Sequence, residues 1–185
     1  AIHHNQKIWH DARHQQRGLK TVLLRENAVL HHIKEILNMR KFEVVTAFQH
    51  LNPIIPIRAT DSSAGYDLSS IEEITIEPKA IKLVPTGLKV MMQKDEALFI
   101  FPRSSLAIKR GLMMSNSVGV IDADYYGNAD NEGHIMIPLM NISEQPVTIK
   151  KGERVAQGIF MHYLKTTDDQ VRTNERKGGF GSSGH

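Results

Sequence analysis

The sequence predicts an all-β fold, closed or sandwiched and antiparallel, over most of its 185 residues. Beyond Phe42 the apolar residues come in short runs of strand length: IEEITI (71–76), IKLV (81–84), LKVMM (88–92), ALFIF (97–101), HIMIPLM (134–140) and RVAQGIF (154–160). These runs are rich in β-branched and aromatic side chains, which suit a pleated, half-buried surface. Pro78, Pro85, Gly87, Pro102, Gly111, Gly127 and Gly152 separate them, and such breakers mark turns rather than element interiors. One run departs from the pattern. SSLAIKR (104–110) opens on a hydroxyl residue suited to an N-cap and is followed by Gly111, which predicts one short helix.

The two ends differ from this middle. From Leu19 to Met39 the residues Leu23, Leu30 and Leu37, flanked by Val22, Val29, Ile33 and Ile36, fall on one stripe of a helix. The segment before them is rich in His and Gln and shows no period. Thr166 to His185 is polar and rich in Gly and Ser, and is expected to stay mobile until a ligand orders it. The expected division is a helical or disordered leader at 1–38, a β domain at 39–165 and a C-terminal arm at 166–185.

Composition removes several function classes. With 41% hydrophobic and 23% charged residues the chain reads as globular and soluble. It has no cysteine, so disulfides and thiolate metal sites are excluded, which suits a cytoplasmic protein. The longest apolar run, Ala97 to Phe101, is too short to cross a membrane, and the first residues lack the core of a secretory signal. The isoelectric point near 9.1 raises the question of a nucleic-acid partner. Residues 1–38 hold six basic and three acidic side chains, which is the whole net charge of +3. The remainder is balanced, so no specific nucleic-acid binding is expected of it.

Five segments carry the chemistry: AGYDL (64–68), PRSSLA (102–107), NSVGVIDADYYG (116–127), RVAQGIF (154–160) and GGFGSSG (178–184). Singly, each has an ordinary structural reading as a turn, a helix cap, a core strand or a flexible tail. Together, and in this order, they resemble the five motifs of the homotrimeric dUTPase family over Phe42 to Gly184. The stretch from DYYGN to NEGHI and the short ERKGGFG arm resemble its Gram-positive and phage branch. The resemblance implies a jelly-roll-like β-barrel or sandwich, a homotrimer with shared active sites, and Mg2+-dependent hydrolysis of dUTP to dUMP and pyrophosphate. That reaction removes dUTP and supplies dUMP for dTMP synthesis. Met39 stands where a family member would begin. An expression leader, an over-extended reading frame and an accessory helix all remain open for residues 1–38.

Hydrolysis at the α-phosphorus needs an activated water, neutralisation of the phosphates and in-line positioning. Asp122, at the end of the apolar run VGVI where a hairpin turn is expected, is the candidate base; alone, Asp122 and Asp124 read equally as turn residues. Asp124 is expected to hold the turn. Arg103 and Ser104, with backbone N–H groups at the start of the short helix, are candidate phosphate donors, and the resemblance assigns that role to them and to Ser105. The family usually has Gly at position 105, and Ser brings the motif nearer the dCTP deaminases. Gln157 matches the glutamine that reaches the phosphates, or is a strand glutamine satisfied by backbone. The resemblance assigns uracil to Asn116 and to main-chain groups around Gly119 and Ile121. It places Tyr125 under the deoxyribose, where a ring excludes a 2′-hydroxyl; an ordinary sheet aromatic is the alternative. Asp67 matches a carboxylate that reaches Mg2+ through water, or is a turn residue. In the arm, Phe180 would stack on uracil, Gly178, Gly179 and Gly181 would allow close wrapping, and Ser182 and Ser183 would meet the terminal phosphate. The family's arginine five residues before the Phe is Glu175 here, and Arg176 takes its place.

Two rival readings stand beside this one. A dCTP deaminase needs a glutamate where this chain has Tyr126. A regulatory binding partner is the other reading, because NADNEG (128–133) lengthens the third motif and can present a new surface.

Overall fold

A computed structural model describes residues 20, 22–33 and 38–171. The chain divides into two units, Ala1–Met39 and Arg40–His185. In the first, residues 22–33 are helical (α1), and Val22, Leu23, Val29, Leu30 and Ile33 are exposed along it.

In the second unit the described residues form eleven strands, all of whose pairings are antiparallel. β1 (Lys41–Val44) pairs with β5 (Leu88–Met91), and β3 (Ile74–Ile76) with β10 (Val147–Ile149). A three-stranded sheet has the order β4 (Ile81–Pro85), β9 (Met136–Asn141), β7 (Leu112–Met114). A four-stranded sheet has the order β2 (Tyr66–Ser69), β11 (Arg154–His162), β6 (Glu96–Pro102), β8 (Gly119–Asp122). The architecture is the expected jelly-roll-like one.

Strand periodicity builds the core. In β9 Ile137, Leu139 and Asn141 turn inward while Met136, Pro138 and Met140 are less buried. Leu68, Leu98, Ile100 and Val155 from the four-stranded sheet meet Val84, Leu112 and Ile137 from the three-stranded one in one apolar cluster. Burying such side chains contributes about 1.5–3 kcal/mol each before chain entropy is subtracted. Asn141 is fully buried but satisfied: its amide donates to the carbonyls of Ile76 and Gln145 and its oxygen accepts from Ser143. Glu96 is also buried, and the Arg40 guanidinium holds both its oxygens, Nε lying 2.9 and 2.7 Å away. Burial pushes the Glu96 carboxyl up, but Arg40, the Gln93 N–H and His162 outweigh it and leave it below the usual carboxylate range.

The short helix, α2, spans Leu106–Arg110 and ends at Gly111, whose φ of +62° supplies the left-handed cap. Its expected hydroxyl cap is not made. Ser105 already has helical backbone angles, φ −90° and ψ −8°, and its hydroxyl makes no capping bond. A side-chain cap requires an extended residue at that position.

Candidate active site

The four-stranded sheet carries both groups of expected site residues, at opposite ends of β6. At one end β6 runs into Arg103. Gln157 on β11 lies in register between Asp67 on β2 and Phe101 on β6. The Asp67 carboxylate holds two guanidinium groups: Arg103 Nε lies 3.2 Å from Oδ1, and Arg154 Nη1 donates to Oδ2 at 2.9 Å. Gln157 Nε2 donates to the Pro102 carbonyl at 3.3 Å. Gly65 makes room for that amide, because a Cβ there would run into the glutamine's side-chain oxygen. Arg103, Ser105, Lys109, Arg110, Glu153 and Arg154 line an open cleft of about 360 Å³. Ser104 is exposed beside it. The Leu106 N–H is bonded to the Arg103 carbonyl at 3.0 Å, so the expected row of outward N–H groups is shorter by that one.

At the other end β8 carries the third motif. Asn116 sits exposed in the turn entering β8, and Gly119, Ile121 and Asp122 follow along the strand. Gly119 lies opposite Ile100, Ile121 opposite Leu98 and Asp122 opposite Ala97. Asp122 is exposed and leads into a 3-10 turn, Ala123–Tyr125. The expected hairpin turn after Asp122 is corrected, since β8 and the next strand, β9, belong to different sheets. The positive φ angles of Gly127 (+72°) and Gly133 (+90°) turn the chain between them. An open cleft of about 550 Å³ is lined by Asp122, Ala123, Asp124, Tyr126, Lys94 and Lys165, among others.

Tyr125 is 4% exposed, and its hydroxyl donates to the His134 carbonyl at 3.0 Å and accepts from Asn131 Nδ2 at 2.8 Å. Tyr126 donates to Glu43 at 2.5 Å. That bond, with burial, pushes the Tyr126 phenol up to about 12. His134 accepts from the Gly87 N–H at 3.0 Å, and burial pushes its imidazole down to about 4.

Sequence reasoning passed over Arg154, although an arginine three residues before Gln157 on a strand was a legible signal. It also passed over Gly65, Asn128 and Asn131, whose contacts depend on the fold. Arg176, Gly178, Gly179, Phe180, Gly181, Ser182 and Ser183 lie outside the described residues.

A carboxylate at one end of a strand and an arginine–glutamine cluster at the other are parts of the kind a β-fold nucleotide hydrolase needs. The sequence profile of the dUTPase family matches residues 52–184. A deoxyuridine 5′-triphosphate nucleotidohydrolase of Lactococcus lactis is 49% identical over 149 residues, covering 80% of this chain and 99% of the relative. One from Desulfitobacterium hafniense is 36% identical over 157 residues, covering 80% and 99%. The crystal structure of a Streptococcus mutans dUTPase is 48% identical with a TM-score of 0.64, covering 68% of this chain and 98% of that one. A Staphylococcus phage 80alpha dUTPase, 24% identical with a TM-score of 0.60 over 79% of this chain and 99% of its own, shares the fold. The chain belongs to the dUTPase family.

Proposed function

We propose that this protein hydrolyses dUTP to dUMP and pyrophosphate with Mg2+, in the cytoplasm, at active sites shared between the protomers of a homotrimer. The separation of Asp122 from Arg103 carries the shared-site reading. Ala97, opposite Asp122, and Pro102, next to Arg103, are five residues apart on β6, about 17 Å at ~3.4 Å per residue. A general base must lie within a hydrogen bond, or one water, of the atom it serves. Asp122 of one protomer therefore works with Arg103, Ser104, Ser105 and Gln157 of another.

At such a site Asp122 accepts a proton from the water that attacks the α-phosphorus. The new P–O bond forms as the α–β bridging bond breaks, and pyrophosphate departs. Arg103, Ser104, Ser105 and Gln157 hold the phosphates. Asn116 and the main chain of Gly119 and Ile121 read the uracil, and Tyr125 underlies the deoxyribose. The arm, through Arg176, Phe180, Gly181, Ser182 and Ser183, closes the site and excludes water.

Asp67 suits an indirect part in binding the metal. Both its oxygens are engaged by guanidinium groups, so water-mediated contact fits better than direct ligation. Mg2+ keeps several of its waters and, when bound, offsets the charge on the phosphates.

The deaminase reading is disfavoured by Tyr126, a phenol held protonated by Glu43 at the position where a glutamate is needed. A regulatory partner draws little support from the 128–133 segment. Its Asn128 and Gly133 are buried, and only Ala129 and Asp130 stand fully exposed.

Subunit mixing tests the proposal. Asp122→Asn and Arg103→Ala are each expected to lower dUTP turnover about 10²–10⁴-fold. Denatured together and refolded, they should regain on the order of a quarter of wild-type activity, as random pairing of intact half-sites requires. A mixture that forms trimers and stays inactive would place the whole site within one chain.

A further inference from the structure

The segment that lengthens the third motif folds inward onto one residue of the site. Asn128 Nδ2 donates to the Tyr125 carbonyl at 2.8 Å and to Asn131 Oδ1 at 2.9 Å. Asn128 Oδ1 in turn accepts the N–H groups of Asp130 and Asn131, at 3.0 and 3.2 Å. Asn131 Oδ1 also accepts the Gly133 N–H at 3.0 Å. With its oxygen fixed in this way, the Asn131 amide nitrogen has one orientation, and it points at the Tyr125 hydroxyl, 2.8 Å away. Gly133 closes the loop against the same residue: a Cβ there would stand 2.6 Å from the Tyr125 carbonyl oxygen. Glu132 ties the loop to residues beyond it, to Lys89 at 2.8 Å and to Thr46 Oγ1 at 3.0 Å. A loop built only to join β8 to β9 has no need to hold a tyrosine at both its backbone and its phenol.

We propose that Asn131, locked by Asn128 and Gly133, is a positioning residue that fixes the Tyr125 ring and thereby sharpens discrimination between deoxyribose and ribose triphosphates. This rests on the reading that Tyr125 underlies the sugar. A ring excludes a 2′-hydroxyl only if it cannot retreat. Tyr125 is tethered at its outer end by two hydrogen bonds, of which the Asn131 bond comes from a side chain that can be removed without touching the Tyr125 backbone. Substrate without the hydroxyl fits whether or not the ring is tethered, so the effect falls on UTP far more than on dUTP.

The test compares kcat/KM for dUTP and UTP in Asn131→Ala, Tyr125→Phe, the double variant and Tyr125→Ala, with trimer mass and thermal midpoint measured for each. Asn131→Ala should raise UTP use relative to dUTP about threefold to tenfold, the worth of one partly buried hydrogen bond. Its kcat for dUTP should stay within about twofold, with the change for UTP mainly in KM. Tyr125→Phe, which removes this bond and the one to the His134 carbonyl, should raise the UTP/dUTP ratio at least as much, and the double variant should do no more than Tyr125→Phe. An unchanged UTP/dUTP ratio in Asn131→Ala and in Tyr125→Phe, while Tyr125→Ala still admits UTP, overturns the positioning role and leaves the sugar reading standing. An unchanged ratio in Tyr125→Ala removes the sugar reading itself. If Asn131→Ala fails to assemble, Tyr125→Phe decides alone.

Discussion

His134 takes no part in the proposed chemistry, yet its burial gives the protein an acid limit. Its imidazole lies against Phe48, 4.5 Å between ring centres, and accepts the Gly87 N–H, an arrangement open only to the neutral ring. Folding lowers it from the ordinary 6.5 to about 4. Between those values the unfolded chain binds the extra proton, so stability is complete above about pH 6.5 and falls as the pH drops toward 4. The integrated loss is about 3 kcal/mol. Glu43 and Glu132 are held below the usual carboxylate value, chiefly by Tyr126 and by Lys89, so their losses begin at lower pH. Denaturant unfolding of the wild type between pH 6.5 and 5 should show this slope, and His134→Gln should flatten it even if less stable throughout. An equal slope in both proteins would mean that the acid limit lies elsewhere. Asp122, Arg103 and Gln157 were legible as candidates because they sit in motifs whose order resembles a family's, although alone Asp122 reads as a turn residue and Gln157 as a strand glutamine. His134, Asn128 and Asn131 were not, because their roles consist of partners brought together by the fold.

At the scale of elements, strand period and turn residues were enough for the longer strands. IKLV, LKVMM, ALFIF, HIMIPLM and RVAQGIF all contain or border strands within two residues of the expected limits. IEEITI is a strand only in its second half, Ile74–Ile76. β1, β7 and β10 went unforeseen, being three or four residues long and thus too short to show a period against neighbouring loops. The 3-10 turn Thr46–Leu51 was missed as well. Residues 22–33, inside the stretch 19–39 where the amphipathic stripe lies, are helical. The boundary behind it yields a prediction, because Arg40 is the partner of the buried Glu96. A chain beginning at Arg40 should keep the thermal midpoint and dUTP turnover of the whole. Arg40→Ala in that shortened chain should lower the midpoint by several degrees, since removing one partner leaves a buried carboxylate poorly compensated. Equal midpoints would mean that His162, 3.6 Å from Glu96, is compensation enough.

For the molecule as a whole, family and fold could be read from five ordered motifs, whereas a shared site could be expected only through the resemblance and not from the residues themselves. A linear sequence states that Asp122 and Arg103 are both present; only strand pairing states that β6 keeps them at opposite ends. The sequence also left the Asp67 carboxylate free for other partners, whereas folding joins it to two cations, Arg103 just beyond β6 and Arg154 on β11. If the site is shared as proposed, the seven residues of β6 act as a spacer, and a lone copy of this protein would be inert. Catalysis then becomes a property of concentration. Serial dilution at saturating dUTP should leave turnover per chain constant down to the point where the assembly comes apart, and below it turnover should fall with a steep power of protein concentration. Added dUTP should move that threshold lower, since a ligand that bridges two copies favours their association. A dilute cell would thus switch this activity off without changing a single residue.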